Sequence, residues 1–528
     1  MAEPDPLRSE HRVVVIGAGV GGLVSALLLA CRGLDVTLVE AAAEPGGKMR
    51  QVEVDGARID AGPTVFTMRW VFDQILAQAG SSVDSLLALQ PLSVLARHAW
   101  RGSDTRLDLL ADLQASADAI ARFSGPDEAR RYLRFCAEAR RVYESLEAAH
   151  IRASRPSLTG IAPRLGLAGL ATLARLGPFA SMWRRLAHHF HDPRLQQLFG
   201  RYATYCGTSP WVAPATLMLV AHVERCGVWS VGGGMHGLAR ALAGLAQQRG
   251  ARLLFNQRCE RIALDGGRVS GVLLADGRQL QADSVVFNGD VGALACRLLG
   301  DGVAQAARPV PVAQRSLSAL TWAVHAPTTG FPLVRHNVFF DDDYASEFDD
   351  VFRLRRLPRR GTVYVCAQDR DDQATAPTGP ERLLCLVNAP ADGDHSPLDD
   401  SEIASCQIRS LALLQHCGLQ LAPQPHQVQI TTPTDFNRLF PGTGGALYGP
   451  ASRGWMAVFR RSGAKTPVAG LYLAGGSVHP GPGVPMAALS GWRAAETLMA
   501  HLDSTSRSTT VATFGGTSTP SATTAGTA

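Results

Sequence analysis

Gly17, Gly19 and Gly22 stand at the spacing that lets a polypeptide meet a dinucleotide pyrophosphate. Gly17 permits a tight turn, Gly19 lets the backbone approach the phosphates, and Gly22 lets the following helix pack closely on the preceding strand. That helix offers its first free N–H groups and positive dipole to the anion. Glu40, about twenty residues on, can accept hydrogen bonds from a ribose 2′-hydroxyl. Far along the chain, Gly475 and Gly476 precede His479-Pro480-Gly481-Pro482-Gly483-Val484-Pro485-Met486, a compact loop ahead of a helix over Ala487 to His501. Such a loop suits a second close approach to a flat or phosphorylated ligand, and alone it fits a structural βα turn equally. Taken together, the two glycine clusters point to one extended cofactor touched by both ends of the chain.

The elements that must position these residues are readable nearby. Val13-Val14-Val15-Ile16 is a β-branched run leading into the first turn, Leu23 to Ala30 is an apolar helical stretch, and Val36-Thr37-Leu38-Val39 ends in Glu40. Because Val13 to Cys31 is uncharged and mostly apolar, a signal peptide or membrane span competes with this reading. The glycine cluster and the change from strand to helix pattern favour a doubly buried strand and helix. No small-residue cleavage site stands before the charged segment Glu40 to Lys48, so the chain is expected to stay in the cytosol. Gly470-Leu471-Tyr472-Leu473-Ala474 reads as the strand before the second glycine pair.

At 528 residues the chain has room for two or three domains, and its 46% hydrophobic and 18% charged residues are those of an ordinary globular protein. A formal charge of +5, with acidic residues nearly as many as basic ones, argues against a nucleic-acid partner. Only two lysines, Lys48 and Lys465, could carry Schiff-base chemistry. Ten scattered cysteines form no C-x-x-C pair, and no metal site is expected. His188, His189 and His191 read as a solvated helix end, and Asp341-Asp342-Asp343 with Asp349-Asp350 as an acidic surface turn.

Helical periodicity covers Val71 to Gly80, Asp127 to Ala149 and Glu402 to His416. Strands are expected over Arg252 to Phe255, Cys259 to Leu264, Arg268 to Leu274 and Ser284 to Phe287 as a meander returning to the first sheet, and over Ser318 to His325, Thr362 to Gln368 and Leu383 to Asn388. Ile151 to His191 carries several arginines, no acidic residue and abundant Leu, Ala, Gly and Trp. It suits a helix pair in a membrane interface, or equally a buried hairpin with arginine at its rim. The tail, 503–528, is rich in Ser, Thr, Gly and Ala and is expected to be disordered.

Val14 to Gly22, Glu40, Glu44-Pro45-Gly46-Gly47-Lys48 and the run Leu471 to Val484 resemble the opening and closing signatures of the bacterial-type phytoene desaturase family of FAD-dependent carotenoid desaturases. That family is related more widely to flavin amine oxidases. Asp60-Ala61-Gly62-Pro63-Thr64-Val65-Phe66-Thr67-Met68-Arg69, His336-Asn337-Val338-Phe339-Phe340 and Gly475 to Met486 are most similar to the 1-hydroxycarotenoid 3,4-desaturases of photosynthetic bacteria. Val478, where a small residue is usual, and Pro482 depart from the commoner signature and leave the regiochemistry open.

The resemblance implies an α/β protein with a Rossmann-like FAD-binding domain of the flavin amine oxidase and phytoene desaturase type and an inserted α+β substrate domain. Segments 10–90, 225–305 and 441–502 would form the first, 91–224 and 306–440 the second, membrane-facing one. It places Gly17, Gly19 and Gly22 at the pyrophosphate, Glu40 at the ribose, and Gly47 and Lys48 along the phosphate and ribitol. Gly62, Pro63 and Thr64 would border the isoalloxazine, the backbone of Cys259 would meet the adenine, and Gly475, Gly476, Val484, Pro485 and Met486 would close over the ribityl chain and ring. The implied reaction transfers a hydride to flavin and leaves a C-3,4 double bond in a 1-hydroxy or 1-methoxy acyclic carotenoid such as hydroxyneurosporene.

No Ser/His/Asp or paired-carboxylate arrangement asserts itself, and an incipient cation delocalised over a polyene does not require a tuned base. His479 is the candidate base or polar orienter by position, set against a turn-stabilising histidine. A water-insoluble substrate implies an apolar tunnel between the domains and a peripheral station on the cytoplasmic side of the inner, photosynthetic membrane, with Ile151 to His191 at the entrance. Phytoene-type desaturation of other regiochemistry, oxidation of a polar amine, for which Lys465 is the free lysine, and non-catalytic lipid carriage on the same fold are the competing activities. Nothing in the sequence designates the terminal electron acceptor.

Overall fold

The β-branched runs assemble a parallel sheet of the order Leu471–Leu473, Ser284–Phe287, Arg12–Ile16, Asp35–Val39, Arg252–Leu254. The protein is seen here as a computed structural model describing residues 10–153, 166, 169, 171, 172, 174, 176, 177, 180–370, 376–454 and 457–513. Both faces of this sheet are covered, which is why its strands and the helix Val20–Ala30 read as nearly unbroken apolar runs. All eleven residues of that helix are buried. Its oiliness therefore comes from packing inside the protein.

Two neighbours hold the helix. The C-terminal helix Val484–Thr513 lies along it, and Met235–Gln248 packs on its other side. A methyl group on Gly491 would stand 2.1 Å from the Gly21 carbonyl oxygen, so only a residue without Cβ permits this approach. Ser25 Oγ binds the carbonyls of Gly21 and Gly491 at 2.8 and 3.0 Å, joining the two helices.

A second sheet has seven strands, in the order Val428–Thr431, Ser318–Ala326, Glu381–Ala389, Val363–Ala367, His336–Phe340, Val94–Trp100, Arg106–Leu110. Pairing is antiparallel except between His336–Phe340 and Val94–Trp100. Strands from before and after Arg252–Leu254 and Ser284–Phe287 of the parallel sheet thus share one sheet. The helices Arg69–Gln78, Pro126–Leu146 and Asp400–His416 fall where periodicity places them. Asp399 and Glu402 cap the last reciprocally, each side chain bonding the other's backbone N–H.

Several expectations are corrected. Arg252–Leu254 is an edge strand of the parallel sheet, and the meander is Cys259–Asp265, Arg268–Leu274 and Gln279–Gln281. The alternating pattern of a short strand does not say which sheet it joins. The final helix runs to Thr513, into the expected disordered tail, because extending an existing helix costs less than starting one, while residues 514–528 lie outside the described residues. His189 is not solvated: it is buried, with Nε2 3.0 Å from Glu138 Oε2. Asp341 and Asp350 are likewise buried beside Arg101 and Arg356, so their run is not a purely surface turn.

The Gly21–Gly491 contact gives a direct test. Gly491→Ala is expected to destabilise the protein by about 1–3 kcal/mol through overpacking, read as a lower urea midpoint with unchanged slope. An unchanged midpoint would mean that the two helices separate freely.

Candidate functional site

Gly17 takes φ +97°, a conformation open to glycine, and its N–H donates to the Val39 carbonyl at 2.8 Å. Behind it, Gly22 has no room for a side chain: a Cβ there would lie 2.1 Å from the Gly17 carbonyl oxygen. Gly22 accordingly packs beneath the turn, while Gly17 and Gly19 line a cavity of about 1130 Å³. The helix they open has no side-chain cap and no acidic residue in its first turn. Its free N–H groups are left for an external acceptor.

Gly46 and Gly47 fold against this turn. The Gly46 N–H donates to the Ala18 carbonyl at 2.9 Å, and a Cβ on Gly47 would come within 3.2 Å of the Gly19 Cα. Glu40 accepts from the N–H groups of Ala18 and Ala42 at 2.6 and 2.8 Å, so its carboxylate is fixed at the rim of the cavity. Lys48 is half-buried, with Nζ 2.6 Å from the Leu447 carbonyl and over the Phe440 ring. Burial lowers the Lys48 pKa, with Asp290 opposing that shift.

The second glycine turn reaches the same cavity. Gly475 has φ +109° and its N–H donates to Ser490 Oγ at 2.7 Å. Asn288 lies where the two turns meet: its Nδ2 donates to the Gly17 carbonyl at 3.0 Å, and its side chain would be 2.6 Å from a Cβ on Gly21 and 3.2 Å from one on Gly475. Gly47, Lys48, Gly62, Pro63, Thr64, Cys259, Gly475, Gly476, Val484, Pro485 and Met486 all line the cavity, with Glu40. Gly62 presses against the Lys48 carbonyl, 1.7 Å from where its own Cβ would be, which brings the two segments together.

From there the cavity continues along one face of the seven-stranded sheet. Thr321, Leu386, Tyr364 and Val338 form a row across four paired strands, and all line it. Leu384 and His336 lie two residues away on their strands and face the same side, as the strand repeat requires. Helical residues including Leu198, Leu219, Val220 and Val223 also line the cavity.

Polar groups in this wall were not anticipated from sequence. Five of the chain's eight tyrosines line the cavity: Tyr202, Tyr205, Tyr344, Tyr364 and Tyr448. Arg201, Glu224, Glu347 and Arg461 are also there. Each charge is engaged by the protein. Tyr202 donates to Glu224 at 2.7 Å, Arg201 donates to Tyr205 at 3.0 Å, and Glu347 accepts from Thr362 and Asn388. Arg461 donates to the carbonyls of Gly476, Tyr448 and Pro450, and burial pushes its pKa down to about 10. Glu224 and Glu347 are shifted upward by burial.

His479 is not brought to the cavity. It is buried, its Nε2 lies 2.8 Å from the Ala153 carbonyl, and its ring meets His150 edge-on at 4.8 Å. These contacts fit the turn-stabilising role. Lys465 is exposed and does not line the cavity. Nineteen of the 41 residues from Ile151 to His191 lie outside the described residues; the segment's end forms the helix Met182–His189, with Met182 and Leu186 buried.

The flavin containing amine oxidoreductase family matches residues 20–499. A hydroxyneurosporene desaturase of Rubrivivax gelatinosus is 64% identical over 522 residues, covering 99% of both chains. Another, of Cereibacter sphaeroides, is 45% identical over 94% of this chain and 99% of its own. A solved oxidoreductase of Methanosarcina mazei, 18% identical, superposes with a TM-score of 0.60 over 92% of this chain and 100% of its own and shares the fold.

Buried histidines make stability depend on pH. His98, His336 and His479 are held neutral, with pKa values pushed down by burial to about 4, 3 and 4 from the ordinary 6.5. Between 6.5 and those values the unfolded chain binds more protons, so stability falls as pH falls. Each contributes at most about 1.4 kcal/mol per pH unit. The urea midpoint should drop from pH 7 to pH 5; a rise over that interval contradicts this account.

Proposed function

The chain belongs to the flavin-containing amine oxidoreductase family, and on that premise we propose that it is an FAD-dependent carotenoid desaturase introducing a C-3,4 double bond into 1-hydroxy or 1-methoxy acyclic carotenoids such as hydroxyneurosporene. What carries this reading is one cavity running from the paired glycine turns to the face of the large sheet, in a chain so close in sequence to hydroxyneurosporene desaturases. The residues present fit FAD. An uncapped helix start faces the cavity, and Gly17 and Gly19 leave bare backbone where a pyrophosphate would lie. Gly17, Gly19 and Gly47 would hold the phosphates, Glu40 the ribose, Lys48 the ribitol side and the Cys259 backbone the adenine. Gly62, Pro63 and Thr64 would border the ring, with Gly475, Gly476, Val484, Pro485 and Met486 closing over the ribityl chain and ring.

When bound, FAD supplies the hydride acceptor. The protein's part is to bury the substrate, orient the reacting bond and keep water out. Leu198, Leu219, Val220, Val223, Val338, Leu384 and Leu386 give the polyene an apolar wall. The charged heads of Glu224, Glu347 and Arg461 spend their hydrogen bonds on protein partners, which limits the field they present to an uncharged hydrocarbon. No strong base is required where positive charge spreads over a polyene, and the wall histidines His98 and His336 are held neutral. Lys465, the free lysine considered for amine oxidation, does not line the cavity.

Purified protein should be yellow, absorbing at about 450 nm as flavin does. Incubated in liposomes with hydroxyneurosporene and, separately, phytoene, it should convert the first to a product with two fewer hydrogens. Conversion of phytoene alone overturns the proposed regiochemistry.

Such a substrate resides in lipid, so we place the protein peripherally at the cytoplasmic side of the inner, photosynthetic membrane, with 151–191 toward the bilayer. Among the described residues no helix is long and apolar enough to cross a membrane. The arginines and apolar residues of that segment suit interfacial contact. Vesicle flotation should weaken when Arg164, Leu165, Leu167 and Leu170 are changed together to Ser; undiminished flotation would remove the segment from the membrane contact.

A further inference from the structure

His336, from the His336-Asn337-Val338-Phe339-Phe340 run, is only 3% exposed and lines the cavity. Its Nδ1 is 2.7 Å from the Tyr364 hydroxyl, which is also 2.7 Å from Thr64 Oγ1. The other ring nitrogen, Nε2, is buried and meets no hydrogen-bonding atom of the protein. A buried polar nitrogen left without a partner is costly unless something else occupies it.

We infer that His336 Nε2 is the contact for the tertiary hydroxyl at C-1 of the substrate, and that Tyr364 and Thr64 are positioning residues that fix the imidazole. The inference rests on the reading of the chain as a 1-hydroxycarotenoid 3,4-desaturase. C-1 is two bonds from C-3, so the hydroxyl must lie within a few ångströms of the bond being oxidised, and the group that reads it must stand beside the flavin ring. Thr64 adjoins Gly62 and Pro63, the residues assigned to that ring edge. The Thr64, Tyr364, His336 chain therefore starts beside the residues assigned to the ring and ends on the unpaired nitrogen of an imidazole that lines the same cavity.

Four other residues lining the cavity carry a buried polar atom without a partner: Arg50 Nε, His150 Nδ1, Thr321 Oγ1 and the Tyr344 hydroxyl. None is hydrogen-bonded to the Thr64 chain. Leu386 separates Thr321 from Tyr364 in the cross-strand row. Burial, with Arg335 and Arg201 nearby, pushes the His336 pKa down to about 3. The ring is thus neutral, and Nε2 donates to or accepts from a hydroxyl according to tautomer. The Arg201 guanidinium, 5.1 Å from the Tyr364 ring centre, steadies the phenol that holds Nδ1.

The test uses the full-length holoenzyme in liposomes with hydroxyneurosporene and its C-1 deoxy analogue, 1,2-dihydroneurosporene, compared by kcat/KM. Wild type should favour the hydroxylated compound. In His336→Leu that preference should fall by about tenfold, and in Tyr364→Phe by a smaller factor. Equal loss on both substrates, or an unchanged preference in flavin-replete His336→Leu, overturns the inference. If His336→Leu holds no flavin, Tyr364→Phe and Thr64→Val are judged by the same ratio. Wild type that converts both C-1 compounds equally defeats the hydroxyl contact alone, whereas wild type that converts neither but desaturates phytoene defeats the parent activity.

Discussion

The structure depends on one steric constraint, the near-contact of backbone where the two ends of the chain meet. Gly21 and Gly491 bring two helices within a distance that leaves no space for a methyl group, and Gly21 also faces the Gly475 N–H across Asn288. This is a contact between elements more than four hundred residues apart in sequence. Remove it and the first turn could still form, because its glycines act locally. The second turn would then lose its register against the first, and the cavity would no longer be one space. Ser25 and Ser490 reinforce the junction by accepting from or donating to backbone on both sides.

The second half of the site is governed by side chains instead. A strand shows every second residue to one face, so a four-strand row such as Thr321, Leu386, Tyr364 and Val338 mixes two polar and two apolar groups at fixed spacing. Such a wall can be largely apolar and still hold a polar group at a chosen point. The cost of burying Glu347 and Arg461, and of partly burying Arg201 and Glu224, beside it is offset by hydrogen bonds that each makes within the protein. Polarity is thereby confined to atoms left over, of which there are few.

Local chemistry was legible in the sequence, and distant chemistry was not. Gly17, Gly19, Gly22 and Glu40 are readable because a turn, a helix start and the next strand end lie within one short stretch and obey local geometry. Gly475 and Gly476 are readable as a turn, but only the pairing of Leu471–Leu473 with Ser284–Phe287 brings them to the first turn. Asn288 carries no periodic or motif signal; it matters through a bond to Gly17 across 271 residues. The tyrosines come from separate segments, and nothing in the spacing of Tyr202, Tyr344, Tyr364 and Tyr448 says that they share a wall. His479 was misleading for a related reason: proximity in sequence to the glycine loop is not proximity to the cavity, since its ring is held by Ala153. Arg252–Leu254 and the helix beyond Asp503 show the same limit, because pattern identifies an element better than its partner or its end.

These two kinds of constraint assign different freedoms to the two halves. At the glycine turns, Gly21, Gly22, Gly62 and Gly491 meet backbone atoms, and backbone cannot move aside for a larger residue. The glycine-turn half of the cavity is consequently restricted in composition. On the sheet face, Thr321, His336, Val338, Tyr364 and Leu386 occupy positions set by strand pairing whatever their identity, so exchanging one alters the surface without altering the fold. On the proposed reading, cofactor binding would be specified by where backbone touches backbone, and substrate choice by which side chains stand in a row.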